Sequence, residues 1–313
     1  MGPPGVLLQT AGYETRRKMS TMEFYGKEMP VFKSALHIHS SVSDGSFTPD
    51  EVIRLYREKG YDVLAFTDHH KTNPVSTYDG QGMTLLSGIE LHPTGPRGVQ
   101  WHLLALGVPE DFPGRYPTGQ EAVDAVKAAG GVIFCAHPAG VFSSTEIFEL
   151  LKGIDGVEVS NTNNKFTGFE NAEGCWQELI AQGLICSAVA VDETHTLCDI
   201  SQNWTMIAAP DNTPESLLAA LKSGHFYATQ GPEFKRLSWE NGVFEAEFSE
   251  AVEVLLYGFP DMEIAGTPGF PTPETSPRLT HVRFEPRPKF RGRLRCRIRD
   301  RFNRFAWTMP ITF

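Results

Sequence analysis

From Ser34 onward, short apolar runs alternate with amphipathic stretches that open on capping residues. The runs Ser34–His39, Asp62–Thr67, Leu85–Ile89, His102–Val108, Val132–Ala136, Val157–Ser160, Ile185–Val191 and Trp204–Ala208 predict strands. Most are continuously apolar, the pattern of strands covered on both faces. The stretches Thr48–Lys59, Thr118–Ala129, Ser143–Lys152, Glu170–Gln182 and Pro214–Ser223 predict helices. Three begin with a capping box: Thr48 with Glu51, Thr118 with Glu121 and Ser143 with Glu146. Pro49 stands at a first helical position and Gly60 just past a helix end, where each residue fits the backbone best. This alternation predicts an α/β fold with a mostly parallel sheet, and seven or eight strands suit a closed or distorted barrel.

The pattern changes at both ends. Residues 1–30 are rich in Gly, Pro and charge without a period and predict a leader, with Met19 or Met22 as alternative starts. After Gly231-Pro232 the period drops to two. Val243–Phe248, Val252–Tyr257, Leu279–Phe284, Arg293–Arg299 and Phe305–Met309 read as strands of a small antiparallel β module around a Pro/Gly/Thr-rich loop, Gly266–Pro277. The organisation expected is a leader over 1–30, a barrel over 31–232 and a β-rich domain over 233–313.

Composition sets limits. The chain has 313 residues, 41% hydrophobic and 21% charged, with a formal charge of −10. That acidity makes nucleic acid an unexpected partner. Residues 278–313 nevertheless carry eleven Lys/Arg against two acids. In Arg291–Arg299 the arginines recur at every second position, which predicts one solvated strand face paired with acidic strands bearing Glu245, Glu247 and Glu253. The five cysteines form no C-x-x-C pair, and Cys135 and Cys186 lie in apolar runs, as reduced buried thiols do. Cys198, three residues after His195, stands near the expected site. With no membrane-length apolar run and no secretory pattern at the start, the expected location is cytoplasmic. Oligomeric state is left open.

Polar residues gather where the strands end. His37 and His39, two apart on a strand, project to one side, and Asp44 and Gly45 follow on a loop. His69, Glu90, His137, Asp192 and His195 fall at or just past the C-terminal ends of other predicted strands. In a parallel barrel that rim is where active sites are built. Imidazole mixed with carboxylate suits Zn, Mn or Fe(II) better than calcium. Neither a G-x-S-x-G elbow nor a P-loop lysine motif is present. His102, Asn161 and Gln230 fall at rim positions suited to orienting a substrate or to a purely structural role, whereas His70, His92 and His225 are expected to face solvent. Lys71–Gly82 is a candidate lid.

These elements, in this order, resemble the PHP family, named for its polymerase and histidinol-phosphatase members. The first motif, H-x-H, is Leu36-His37-Ile38-His39; T-D-H is Thr67-Asp68-His69; the acidic element is Gly88-Ile89-Glu90; A-H-P is Ala136-His137-Pro138; the closing element is Asp192–His195. Lys33–Gly45, Ser223–Pro232 and Ala306–Ile311 are similar to a branch that includes a carbaryl hydrolase and often ends in a small β domain. The closing element departs from the family pattern, in which an aspartate stands two before the histidine. Here that place holds Glu193, and Asp192 is one earlier. Asp192 is taken as the ligand, with Glu193 as its substitute.

The resemblance implies a distorted (β/α)7-type barrel holding two or three divalent ions (Mn, Zn or Fe) through His37, His39, Asp44, His69, Glu90, His137, Asp192 and His195. The activity it implies is hydrolysis of a small phosphorylated metabolite (a nucleotide, nucleoside bisphosphate or sugar phosphate) by a metal-activated water. His102 and Asn161 are the residues expected to orient that substrate. Two other readings stay open: hydrolysis of a carboxyl or carbamate ester on the same site, and a metal- or polyanion-binding module without catalysis.

Overall fold

The computed structural model describes residues 20–184, 186–259, 264–266, 278–286 and 292–312. The first strands are β1 (Thr21–Phe24) and β2 (Lys27–Ala35), paired antiparallel. The expected leader therefore gives way to structure by Thr21, where Met22, Phe24 and Val31 alternate into a core. The rest of the proposed leader, residues 1–19, lies outside the described residues.

Next come α1 (Pro49–Glu58), β3 (Val63–Phe66), β4 (Thr84–Leu91), β5 (Leu103–Leu106), α2 (Gly119–Ala128) and β6 (Val132–Cys135). They are followed by α3 (Pro138–Val141), α4 (Ser144–Leu150), β7 (Gly156–Asn161), α5 (Glu173–Ala181), β8 (Ser187–Val191), β9 (Trp204–Ala208), α6 (Pro214–Ser223) and β10 (Phe226–Thr229). All three capping boxes form, at the starts of α1, α2 and α4. Each satisfies helix N–H groups that would otherwise lack partners, so these starts are set locally.

The strands make a mixed α/β, curled half-barrel sheet. β2, β3 and β4 run parallel, as do β6, β7 and β8. The barrel strands are mostly parallel, as expected, but β5 lies antiparallel to both β4 and β6, and β9 antiparallel to β2. The β8 edge reaches back to β2 through a single parallel bridge, Ile38 with Thr194. Apolar side chains of this sheet and its helices, among them Leu103, Phe134, Val157 and Trp176, are fully buried together.

The remaining strands are β11 (Phe234–Glu240), β12 (Val243–Ala251), β13 (Glu253–Phe259), β14 (Ile264–Gly266), β15 (Leu279–Phe284), β16 (Arg293–Arg299), β17 (Phe305–Thr308) and β18 (Ile311–Thr312). Most of the loop Gly266–Pro277 lies outside the described residues. The late strands continue the barrel sheet. β9 pairs with β10, β10 with β17, β17 with β16 and β16 with β13. β1, β11, β12 and β15 form a facing layer. Between the layers sits a second core that includes Phe24, Phe244, Phe248, Leu256 and Ile298.

The arginine strand is not a solvated face. Arg295 is 1% exposed. Its guanidinium lies between the Trp176 ring of α5 (4.6 Å) and the Tyr257 ring of β13 (4.1 Å), and donates to Glu173 at 2.8 Å. Arg297 pairs with Glu173 and Glu253, and Arg299 with Glu253. Glu245 and Glu247 instead meet Arg236, and Glu245 also meets Arg283. The stripe thus fastens β16 to a barrel helix.

Candidate metal centre

Strand ends bring the predicted residues together. His37 and His39 follow β2, held by the Ile38 bridge and by His39 N–H donating to Thr194 O at 3.1 Å. His69 follows β3 and bridges to Glu90 near the end of β4. His137 follows β6, while Glu193 and His195 follow β8. Because β5 is antiparallel, its N-terminal end meets the C-terminal ends of its neighbours. His102, one residue before β5, therefore lies on the same rim.

Glu90 is the hub. It is fully buried, and four imidazole nitrogens surround its Oε2: His69 Nδ1 at 2.8 Å, His39 Nε2 at 3.3 Å, His37 Nε2 at 3.4 Å and His92 Nε2 at 3.5 Å. Oε2 nevertheless has no hydrogen-bond partner, and the same is true of His39 Nδ1 and His137 Nε2. Its Oε1 meets His102 Nδ1 at 2.8 Å and His137 Nε2 at 3.5 Å. His37 Nε2 and His39 Nε2 face each other at 3.0 Å. Asp44 lies over His69 and His195, at 3.4 Å from each Nε2. Its loop closes tightly because position 45 is glycine: a Cβ there would stand 2.5 Å from His39 O.

Four overlapping donor groups result: His39, Asp44, His69 and His195; His37, His39, Glu90 and Glu193; His69, Glu90 and His92; and Glu90, His102 and His137. Buried oxygens and nitrogens aimed at one another without hydrogen bonds fit a cation between them, and the N/O donor mix fits a divalent transition metal. The electrostatics agree. Burial would raise the Glu90 carboxyl, yet the imidazoles, His37 foremost, hold it well below the usual carboxylate range. Burial would lower the His137 imidazole, but Glu193, Glu90 and Glu158 raise it to about 9.

Around the cluster lies a shell of supports. Glu158 on β7, which the sequence did not single out, is 1% exposed. It accepts from His37 Nδ1 at 2.6 Å and, through Oε2, from the His137 N–H (2.8 Å) and Asn161 Nδ2 (2.7 Å). That contact fixes the His37 proton on Nδ1 and leaves Nε2 for a ligand. A register shift between Glu158 and Ser160 interrupts the β7–β8 ladder next to this contact. Asp68 of the T-D-H motif accepts from Ser40, Ser43 and Asn73 and so shapes the Asp44 loop.

Several expectations are corrected. Asp192 turns away from the cluster. Its carboxylate accepts from Tyr56 Oη, Thr162 Oγ1 and the N–H groups of Ser201, Gln202 and Asn203. Burial pushes its carboxyl up to about 6 against the pull of those donors. Glu193 takes the inward place on left-handed backbone, φ 51°. His137 is also left-handed, φ 30°. Left-handed backbone at non-glycine residues costs about 1–3 kcal/mol each and gathers at functional sites. Asn161, expected to orient a substrate, is buried, and its amide is used by Glu158 and, through Oδ1, by Asn164. His92, expected in solvent, belongs to the cluster. Gln230 bonds Ser160 and the Phe305 N–H instead of facing the centre. His70 bonds Gly114 O, and His225 packs on Phe24.

The PHP domain family matches residues 35–198, just over half of the sequence, and its span begins and ends within a few residues of the first and last cluster histidines. The chain belongs to the PHP domain family. A phosphoribosyl 1,2-cyclic phosphate 1,2-diphosphodiesterase of Eggerthella lenta is 36% identical over 83 residues, covering 25% of this chain and 32% of that enzyme. The chain thus spans about a third of that relative's length. An uncharacterized protein of Methanocaldococcus jannaschii is 28% identical over 152 residues, 42% of this chain and 84% of that one. A two-domain protein of Bacteroides vulgatus, described as containing a predicted PHP-like metal-dependent phosphoesterase, shares the fold with a TM-score of 0.55 and 14% identity. That alignment covers 96% of this chain and 99% of the other, so the similarity of fold extends beyond the PHP match through the late strands.

Proposed function

We propose that this PHP protein is a metal-dependent phosphoesterase acting on a small phosphorylated metabolite. The observation that carries the reading is Glu90 Oε2, buried among four imidazole nitrogens with no hydrogen bond of its own. His37, His39, Asp44, His69, Glu90, His137, Glu193 and His195 would hold the ions, with His92 beside them. We assign Mn, Zn or Fe to these sites, two or three ions in all, because the donors are imidazole and carboxylate. Ions held there would supply an activated water and positive charge to offset that of phosphate oxygens. Glu158 orients His37 and His137, and Asn164 steadies Glu193 through a 2.9 Å bond to Oε2. His102 is tied to Glu90 through Nδ1 and is assigned to orient the substrate. Five free cysteines, three of them buried, support a reducing, cytoplasmic setting. Among the described residues no helix is long and apolar enough to cross a membrane.

Exposed Phe166, Phe169 and Leu197 lie on loops after β7 and β8 and favour a second reading, an ester with an apolar group. Hydrolysis of p-nitrophenyl phosphate and p-nitrophenyl acetate by Mn-loaded protein separates the two, with a Glu193→Gln/His195→Ala double variant as control. Phosphate turnover that disappears in the variant and with chelator is the expected result. Acetate turnover alone overturns it.

A further inference from the structure

A histidine has two ring nitrogens, and the partner of one decides what the other can hold. The cluster histidines have partners of different charge. His37 Nδ1 meets the buried Glu158 carboxylate at 2.6 Å. His195 Nδ1 meets the backbone carbonyl of Glu193 at 2.9 Å. His69 Nδ1 meets another imidazole, His92 Nε2, at 2.9 Å. Glu90 Oε2 stands 2.8 Å from the same His69 nitrogen, but it accepts no hydrogen bond and also faces His37 and His39.

The His69–His92 contact sets two tautomers at once. His69 Nε2 and His195 Nε2 flank Asp44, 3.4 Å from its Oδ2 and Oδ1 respectively. For His69 to offer Nε2 to an ion there, its proton must sit on Nδ1. Nδ1 then donates and His92 Nε2 accepts, so the His92 ring carries one proton, on its own Nδ1, and no charge. The ring is firmly placed. It stacks on His102 with centroids 3.9 Å apart, His70 packs against it at 4.6 Å, and its side chain is 9% exposed.

Affinity for an ion follows the charge and rigidity of its donors. An outer partner adds to it by raising the basicity of a histidine ligand, which a carboxylate does more strongly than a neutral imidazole. The inner donor group, His37, His39, Glu90 and Glu193, has two buried carboxylates and Glu158 behind it. The outer group, His39, Asp44, His69 and His195, has one carboxylate, Asp44, whose side chain is 54% exposed and open to screening by water. We propose that the two groups hold ions unequally, the outer ion being the exchangeable one, and that His92 is the positioning residue that keeps His69 turned toward it. This rests on the metal-binding part of the phosphoesterase reading and not on its substrate.

The test is titration of the metal-free full chain with Co(II), followed by calorimetry and by visible absorption. The tightest and weakest binding steps differ by about tenfold or more, the scale on which outer partners act. Asp44→Asn and His92→Ala both weaken the weakest step, His92→Ala by about tenfold, and leave the tightest step in place. Glu158→Gln weakens the tightest step instead. His92→Gln restores the weakest step, because its amide oxygen can accept the His69 proton. Asp44 lies on an exposed loop, so wild type and Asp44→Asn report the order of the steps even where His92→Ala folds poorly. Steps of equal affinity, or an His92→Ala effect on the tightest step, overturn the proposal. A count of bound Co(II) that falls by one in His92→Ala at saturation makes His92 itself a ligand and also overturns it. Wild type that binds no Co(II) overturns the metal reading together with the proposal.

Discussion

Two adjacent acids have opposite surroundings. Glu193 faces His137 and the Glu90 cluster, whereas Asp192 accepts five hydrogen bonds behind it. Glu193→Gln is therefore expected to weaken metal binding at least tenfold with little change in the melting temperature of metal-free protein, read by competition with a chromophoric chelator. Asp192→Asn is expected to do the reverse. Its amide would set N–H against N–H and leave buried donors unpaired at about 1–3 kcal/mol each, which a thermal melt detects. Asn164→Ala removes the only side chain bonded to Glu193 Oε2 among the described contacts and should cost about tenfold in metal affinity, the range typical of outer partners. Residue types and spacing made the histidines legible. They did not separate Asp192 from Glu193, because that depends on where β8 ends and on one left-handed residue.

At the scale of elements, β16 and α5 are joined by charge. Arg295 is fully buried in its side chain, and Glu173 is its charged partner. Two of its nitrogens, Nε and Nη1, already lack hydrogen bonds. Glu173→Ala strands this guanidinium and also removes a partner of Arg297. Breaking such a pair costs about 3–5 kcal/mol, to be read as a lower urea midpoint. Arg295→Met, which removes the charge and keeps the bulk, should cost much less. The alternation of arginines correctly marked a strand with one polar face. Its cover came from a helix more than a hundred residues earlier, a relation no local period contains. The reversed β5 is similar: its four apolar residues read as a strand in either direction, and only pairing with β4 and β6 reversed it and set His102, already expected at the rim, against Glu90.

At the scale of the whole molecule, the cluster stores charge that a metal would replace. The His137 pKa, raised to about 9 by its carboxylate neighbours, lies above the ordinary histidine value of about 6.5. In metal-free protein this group contributes stability that is complete below about pH 6.5 and lost as pH rises through about 9. A divalent ion needs the neutral imidazole, so binding releases protons and apparent metal affinity should rise over the same window. Calorimetry in buffers of different ionisation enthalpy measures that release. An affinity independent of pH from 6.5 to 9 would show that His137 is not a ligand. Metal added well above its dissociation constant should raise the melting temperature, and chelator should reverse the gain.

The sequence by itself determined the strand–helix order, three helix starts, the change of period after Pro232 and the set of histidines and acids that gather at one rim. These follow from local capping, from periodicity and from the rule that parallel strands end together. Tertiary structure decided the rest. It turned Glu193 inward and Asp192 outward, drew His92 and His102 into the cluster and put Glu158 behind His37. It also buried the arginine strand against α5. Each of these outcomes depends on which distant backbone lies alongside, and pairing across the sheet is a property of the folded chain rather than of any short stretch within it.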